Sequence, residues 1–164
     1  MNYPFLLWMY DGYTVGEDSL HPDGWIITPP KPLVSMSNFY DDLAPLYHLI
    51  HQDWDASILR QGEQLSALIK TEWPQSKRVL DVSCGIGTQA IGLAQHGYSV
   101  TASDISANAI TRAKREARAR GAKAVFSVCD MRQAHEHHGN GFDVVISCDN
   151  SLPHLLTDND LKRL

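Results

Sequence analysis

From Asn38 onward Leu43, Leu46, Tyr47 and Ile50, then Leu65, Leu68 and Ile69, recur at helical spacing and predict two helices. The second ends at Trp73-Pro74, because the residue before a proline is pushed out of helical space. The period then shortens. Arg78 to Ala90 reads RVLDVSCGIGTQA, in which Val79, Leu80 and Val82 suit a strand buried on both faces. Gly85 and Gly87 open the next helix, whose apolar face is Ala90, Ile91, Leu93 and Ala94 and whose end is marked by Gly97. A second strand, Tyr98 to Ser103, stops at Asp104, and Ser106 is placed to cap a helix over Ala107 to Arg120. A third strand runs from Ala124 to Cys129 and stops at Asp130. A polar stretch, Arg132 to Asn140, precedes a fourth strand, Phe142 to Cys148, and a further helix starts near Thr157. Strands alternating with helices predict an α/β fold with a parallel sheet and right-handed crossovers.

The first 35 residues carry no sustained period, being broken by Gly12, Gly16, Pro22, Gly24, Pro29, Pro30 and Pro32. A second methionine, Met36, stands where the pattern begins. The expectation is an irregular N-terminal extension over residues 1–35 and one domain over 36–164. The apolar patch Pro4 to Tyr10 is far shorter than a bilayer span and lacks the basic flank of an export signal, so a cytoplasmic protein is expected.

Composition alters this picture little. With 43% hydrophobic and 20% charged residues in 164, the chain is an ordinary globular domain. A net charge of −5 and a pI near 5.8 give no reason to expect nucleic acid or an anionic membrane. Six of the 14 Lys and Arg (Arg112, Lys114, Arg115, Arg118, Arg120 and Lys123) lie between Arg112 and Lys123, and read as a solvated face. Cys84, Cys129 and Cys148 form no CxxC pair. His135, His137 and His138 sit in the polar connection beside Gly139, where adjacent histidines rarely fix a coordination geometry, so no metal is expected.

The chemistry gathers at the strand ends. Ligands of parallel sheets bind beyond the carboxyl ends of the strands, and here those ends carry Asp81, Asp104, Asp130 and Asp149. Asp104, about twenty residues past the glycines, suits a carboxylate accepting bonds from ribose hydroxyls. GIGTQA also satisfies the GxGxxA form of a dinucleotide fingerprint, which keeps a nicotinamide-dependent oxidoreductase as the alternative. Asp81 argues against it, since a negative charge just before the loop suits a cationic ligand better than a pyrophosphate.

LDVSCGIGT, the SDIS that follows, CDM after the third strand and FDVVISCDNSLPHL at the fourth resemble the class I S-adenosylmethionine-dependent methyltransferases. The resemblance runs from about Phe39 to Leu164, and within that superfamily it is nearest the small-molecule branch that includes glycine and sarcosine N-methyltransferases. It implies a Rossmann-like sheet, S-adenosyl-L-methionine as cofactor and a small amine as methyl acceptor, with neither nucleic acid nor membrane as partner. It also implies roles. Asp81, Gly85 and Gly87 surround the methionine part of the cofactor, Asp104 holds the ribose, Asp130 and Met131 flank the adenine, and Ile105 covers the base. Tyr47, among the aromatics of the N-terminal helices, and Ser151 join the cofactor site, while Asn150 and His154 stand beside the reacting methyl as the catalytic candidates.

Two departures from the family pattern stand out. Ser83 replaces the first glycine of the loop. Family members also continue the sheet beyond the fourth strand, so a sheet incomplete at its C-terminus is expected, with Val144 to Ile146 as an unpaired apolar edge. On that expectation the chain transfers little or no methyl, and a nucleoside-binding fragment without activity is a second alternative.

Overall fold

The computed structural model describes residues 5–8 and 36–163. Within them, Phe5–Trp8 (β1), Arg78–Asp81 (β2), Ser99–Asp104 (β3), Ala124–Val128 (β4) and Val144–Ser147 (β5) form one parallel sheet in the order β1-β5-β2-β3-β4. The helices are Met36–Leu43 (α1), Trp54–Glu72 (α2), Thr88–Gln95 (α3), Ala107–Ala119 (α4), Ala134–His138 (α5) and Asp158–Leu161 (α6). Short 3-10 turns occupy Tyr47–Ile50, Met131–Gln133 and Leu152–His154. The expected α/β architecture is present, and none of the described helices is long and apolar enough to cross a membrane.

Residues one apart on a strand face opposite ways, so β2 and β5 feed two cores. Val79, Val144 and Ile146 belong to the larger one, with Ile58, Leu65, Ile69, Ile91 and Leu93 from α2 and α3 and Ile110 from α4. Leu80 and Val82 pack with Ala134 of α5, backed by Met131, Phe142 and Val145. Caps fix where the helices start. The Asp53 carboxylate accepts from the Ala56 N–H ahead of α2, and the Ser106 hydroxyl accepts from the Ala109 N–H ahead of α4. Trp73 ends α2, as its proline neighbour requires.

Trp54 is core. Its indole N–H donates to Thr88 Oγ1 at 2.9 Å, and the guanidinium groups of Arg112 and Arg120 lie 5.2 and 4.7 Å from its ring centroid. Part of the basic run on α4 therefore ties that helix to the N-terminal helices. Arg112 donates to the carbonyls of Ala44 and Pro45, and Arg120 pairs with Asp55 and Glu116.

One expectation is corrected. Val144 to Ile146 is not an open edge, because β1 pairs with it in parallel, Phe5 opposite Val144 and Trp8 opposite Ser147. The cause is visible in hindsight: Phe5, Leu6, Leu7 and Trp8 make a short continuous apolar run, the pattern of a strand in a parallel sheet. Those four residues belong to the fold, whereas the rest of the expected extension, 1–4 and 9–35, lies outside the described residues. The polar connection after β4 is also more ordered than its composition implies, since α5 buries Ala134 against the sheet.

Candidate functional site

The strand order reverses at β2, with β3 on one side and β5 on the other. A cavity of about 230 Å³ opens there beyond the carboxyl ends, as the topology of such sheets dictates. Ser83, Cys84, Gly85 and Ile86 form its floor, Asp104 and Ile105 one wall, Asp130, Met131 and Arg132 another, and Tyr40 and Tyr47 its cover. Asp149, Ser151, His154 and Leu155 complete it from the end of β5.

The glycine loop is held by the first wall. Gly85 adopts φ +52, and its N–H donates to Asp104 Oδ2 at 2.8 Å, while Asp104 Oδ1 accepts from the Ser106 N–H at 2.9 Å. A Cβ at Gly85 would meet nothing within 4 Å, so the space above it is cavity. Burial raises the Asp104 pKa against the lowering effect of those N–H groups. Gly87 (φ +96) does a different job: it caps α3, and a Cβ there would come within 3.2 Å of Ala113 and Ile91. It packs the loop onto α4 and does not line the cavity.

Asp81 lies wholly buried beneath the loop. Its Oδ1 accepts from the Ser83 N–H at 3.2 Å, whereas Oδ2 is buried with no hydrogen-bond partner. Burial, reinforced by Asp104 and Asp149, pushes its pKa up to about 8. The native state therefore holds a proton that the unfolded chain releases near the ordinary aspartate value of 3.8. Unfolding free energy must fall as pH rises through that window, by up to about 1.4 kcal/mol per pH unit. Asp81→Asn removes the ionisation, so urea unfolding at about pH 5 and about pH 8 should show the variant gaining on the native chain at the higher pH. An unchanged gap between them would mean that Asp81 is ionised in the fold at both.

The remaining candidates separate. Asp130 lines the cavity, but the Arg132 guanidinium grips its carboxylate and holds its pKa below the usual range, while Arg132 also reaches Asp160 of α6. Asp149 lines it too, and accepts from the Gln89 side-chain amide at 2.8 Å. The same amide reaches Gln61 of α2 at 2.6 Å. Ser151 lines it with its hydroxyl turned back to the Cys148 carbonyl. Asp149 and Asn150 both take left-handed backbone angles, φ 55 and 65, costly for residues with a Cβ and the mark of a sharply turned loop. Asn150 ends up exposed and outside the lining, whereas His154 faces in and shares a 2.8 Å hydrogen bond with the Tyr40 hydroxyl. Burial, then Asp149, pushes the Tyr47 phenol up to about 12, so it stays protonated as a donor. Sequence reasoning missed Tyr40, Thr88 and Arg132 of the lining and the bracing Gln89. Arg132, directly after CDM, had a usable signal in its i−2 carboxylate.

The lining suits an adenosyl ligand with a cationic tail. A carboxylate beside the glycine turn can accept two ribose hydroxyls, Ile105 and Met131 offer apolar cover for a base, and the Asp149 carboxylate supplies an acceptor where positive charge is favoured.

Residues 79–164 match the family model described as "Methyltransferase domain". The chain is 34% identical over 111 residues to a glycine/sarcosine N-methyltransferase of Parasynechococcus marenigrum, covering 68% of this chain and 39% of that protein. It is 30% identical over 125 residues to a dTDP-3-amino-3,6-dideoxy-alpha-D-glucopyranose N,N-dimethyltransferase of Streptomyces fradiae, covering 76% and 47%. Among solved structures, the tRNA (uracil-54, C5)-methyltransferase of Pyrococcus abyssi in complex with S-adenosyl-L-homocysteine superposes with a TM-score of 0.52 at 28% identity, covering 65% and 25%. The chain thus spans less than half the length of each of these relatives.

Proposed function

We propose, from the premise that the chain belongs to the class I S-adenosylmethionine-dependent methyltransferases, that it methylates the nitrogen of a small amine. The observation that carries this reading is the pair of lining carboxylates Asp104 and Asp149, set apart from the Asp130–Arg132 ion pair and from the protonated Asp81 beneath the floor, a field that attracts sulfonium and ammonium groups. Two of the amino-methylating relatives, acting on glycine or sarcosine and on an amino sugar nucleotide, support it.

When bound, S-adenosyl-L-methionine supplies a methyl group already activated by its sulfonium. The chain has to bind, align and exclude water. Asp104 takes the ribose hydroxyls, Ile105 and Met131 cover the adenine, and Asp81 with the Gly85 turn faces the methionine end. Asp130 serves the adenine amine only in competition with Arg132. On the acceptor side Asp149 attracts an ammonium, and His154 takes the proton that the amine nitrogen must lose, with the Tyr40 hydroxyl holding the imidazole in place. Asn150, exposed, is left to shape the turn.

Radiolabelled methyl transfer to glycine, sarcosine, an amino sugar nucleotide and tRNA tests this. Label in an amine, reduced at least about tenfold by His154→Ala, is the expected result. Label confined to tRNA, or in none of the amines, would overturn it.

A further inference from the structure

Behind the Asp130 wall, outside the cavity, three ligand-bearing side chains meet that the methyl-transfer reading does not use. Cys129, His137 and His138 each offer one ligand atom, and these atoms all lie within 4.8 Å of one another. The elements that carry them are fixed. Cys129 directly follows β4, is 6% exposed, and its N–H donates to the Asp104 carbonyl at 3.0 Å. The histidines end α5, which is seated on the sheet by Ala134. Their rings stand perpendicular with centroids 4.6 Å apart. Each ring is steadied by a serine of a neighbouring strand, His137 Nε2 by Ser127 Oγ and His138 Nε2 by Ser103 Oγ, both at 3.0 Å.

We propose that Cys129, His137 and His138 form a binding site for a divalent cation of the zinc type. One thiolate and two imidazoles are a borderline-soft donor set, which favours zinc over calcium or magnesium. Around a tetrahedral zinc with bonds of about 2.0 to 2.3 Å, sulfur and nitrogen atoms stand roughly 3.3 to 3.6 Å apart. The present spread, up to 4.8 Å, therefore has to contract by up to about 1.5 Å as the cation binds. Binding ionises the thiol, which now donates to the Asp130 carbonyl at 3.2 Å, and releases its proton to solvent. Three protein ligands leave the fourth position to water. With Nδ1 of each ring turned to the cation, the serine hydroxyls on Nε2 orient the rings as outer partners of metal-binding histidines do. A cation here would clasp α5 to the end of β4 across the turn Met131–Gln133, one wall of the cavity.

Cobalt(II) is the probe, because a cysteine ligand gives it a thiolate-to-metal charge-transfer band in the near ultraviolet. Titration of the reduced, anaerobic full chain should produce that band, saturating at one equivalent and erased by zinc. Cys129→Ser should abolish it, and His137→Ala, at an exposed position, should weaken cobalt binding by more than about tenfold. His135→Ala, on the same helix but outside the cluster, should leave it unchanged. Absence of the band, its survival in Cys129→Ser, or equal binding by His137→Ala and the native chain would overturn the site.

Discussion

Gly92→Ala should destabilise the fold although alanine is the better helix former. A Cβ at Gly92 of α3 would lie 2.6 Å from the Ile58 carbonyl oxygen and 2.8 Å from Gly62 Cα, and a Cβ at Gly62 of α2 would lie 2.7 Å from Gly92 Cα. These are backbone contacts, which no rotamer change relieves. The two helices touch through their glycines, and the close approach lets Ile58, Leu65, Ile69, Ile91 and Leu93 fill the core above β2 and β5. Alanine gains about 1 kcal/mol of helix propensity, whereas forcing packed elements apart costs about 1 to 3 kcal/mol and more where backbone meets backbone. A net loss of about 2 kcal/mol is expected, a fall of roughly 5 °C in Tm for a chain of this size. Urea unfolding of Gly92→Ala and Gly62→Ala against the native chain checks it, and stabilisation by either would show that the helices stand further apart.

Asp104→Ala should weaken binding of S-adenosyl-L-homocysteine by about a hundredfold, and Asp149→Ala by much less. Asp104 alone among the strand-end acids both lines the cavity and holds the glycine turn, through Gly85 and Ser106. Hydrogen bonds to a charged group contribute roughly 1.5 to 3 kcal/mol each, and two ribose hydroxyls at the lower end of that range account for the expected loss. Asp104→Asn keeps an acceptor for the Gly85 N–H and should fall between, which separates lost ligand contacts from a collapsed loop.

The fold was legible in the sequence where the signal is local. Val79 to Val82 before the glycines, Ser106 before an alanine-rich helix and Trp73-Pro74 at a helix end each specify their structure through backbone physics within a few residues. Phe5 to Trp8 was misread because pairing with Val144 to Ser147 joins residues far apart in sequence, and no local pattern reports such a partner. The site divides in the same way. Asp104, Asp130 and Asp149 follow from the rule that ligands sit at the carboxyl ends of parallel strands, and Gly85, Ile105 and Met131 from the family resemblance; all six line the cavity. Gly87 and Asn150 lie in the expected loops but off the cavity, since which way a loop residue faces depends on angles such as the paired left-handed turn at Asp149 and Asn150. The approach of Cys129 to His137 and His138 was hidden for another reason: it needed α5, and the polar composition from Arg132 to Asn140 gave no hint of a helix seated on the sheet.

The nucleoside pocket is tested most directly by calorimetric titration of S-adenosyl-L-homocysteine into the native chain and Asp104→Ala, with NAD as the comparison ligand. The assignment of Asp104 predicts saturable binding of S-adenosyl-L-homocysteine to the native chain, a dissociation constant about a hundredfold higher in the variant, and no heat from NAD. Binding of NAD with none of S-adenosyl-L-homocysteine, or equal affinity for S-adenosyl-L-homocysteine with and without the Asp104 carboxylate, would contradict it.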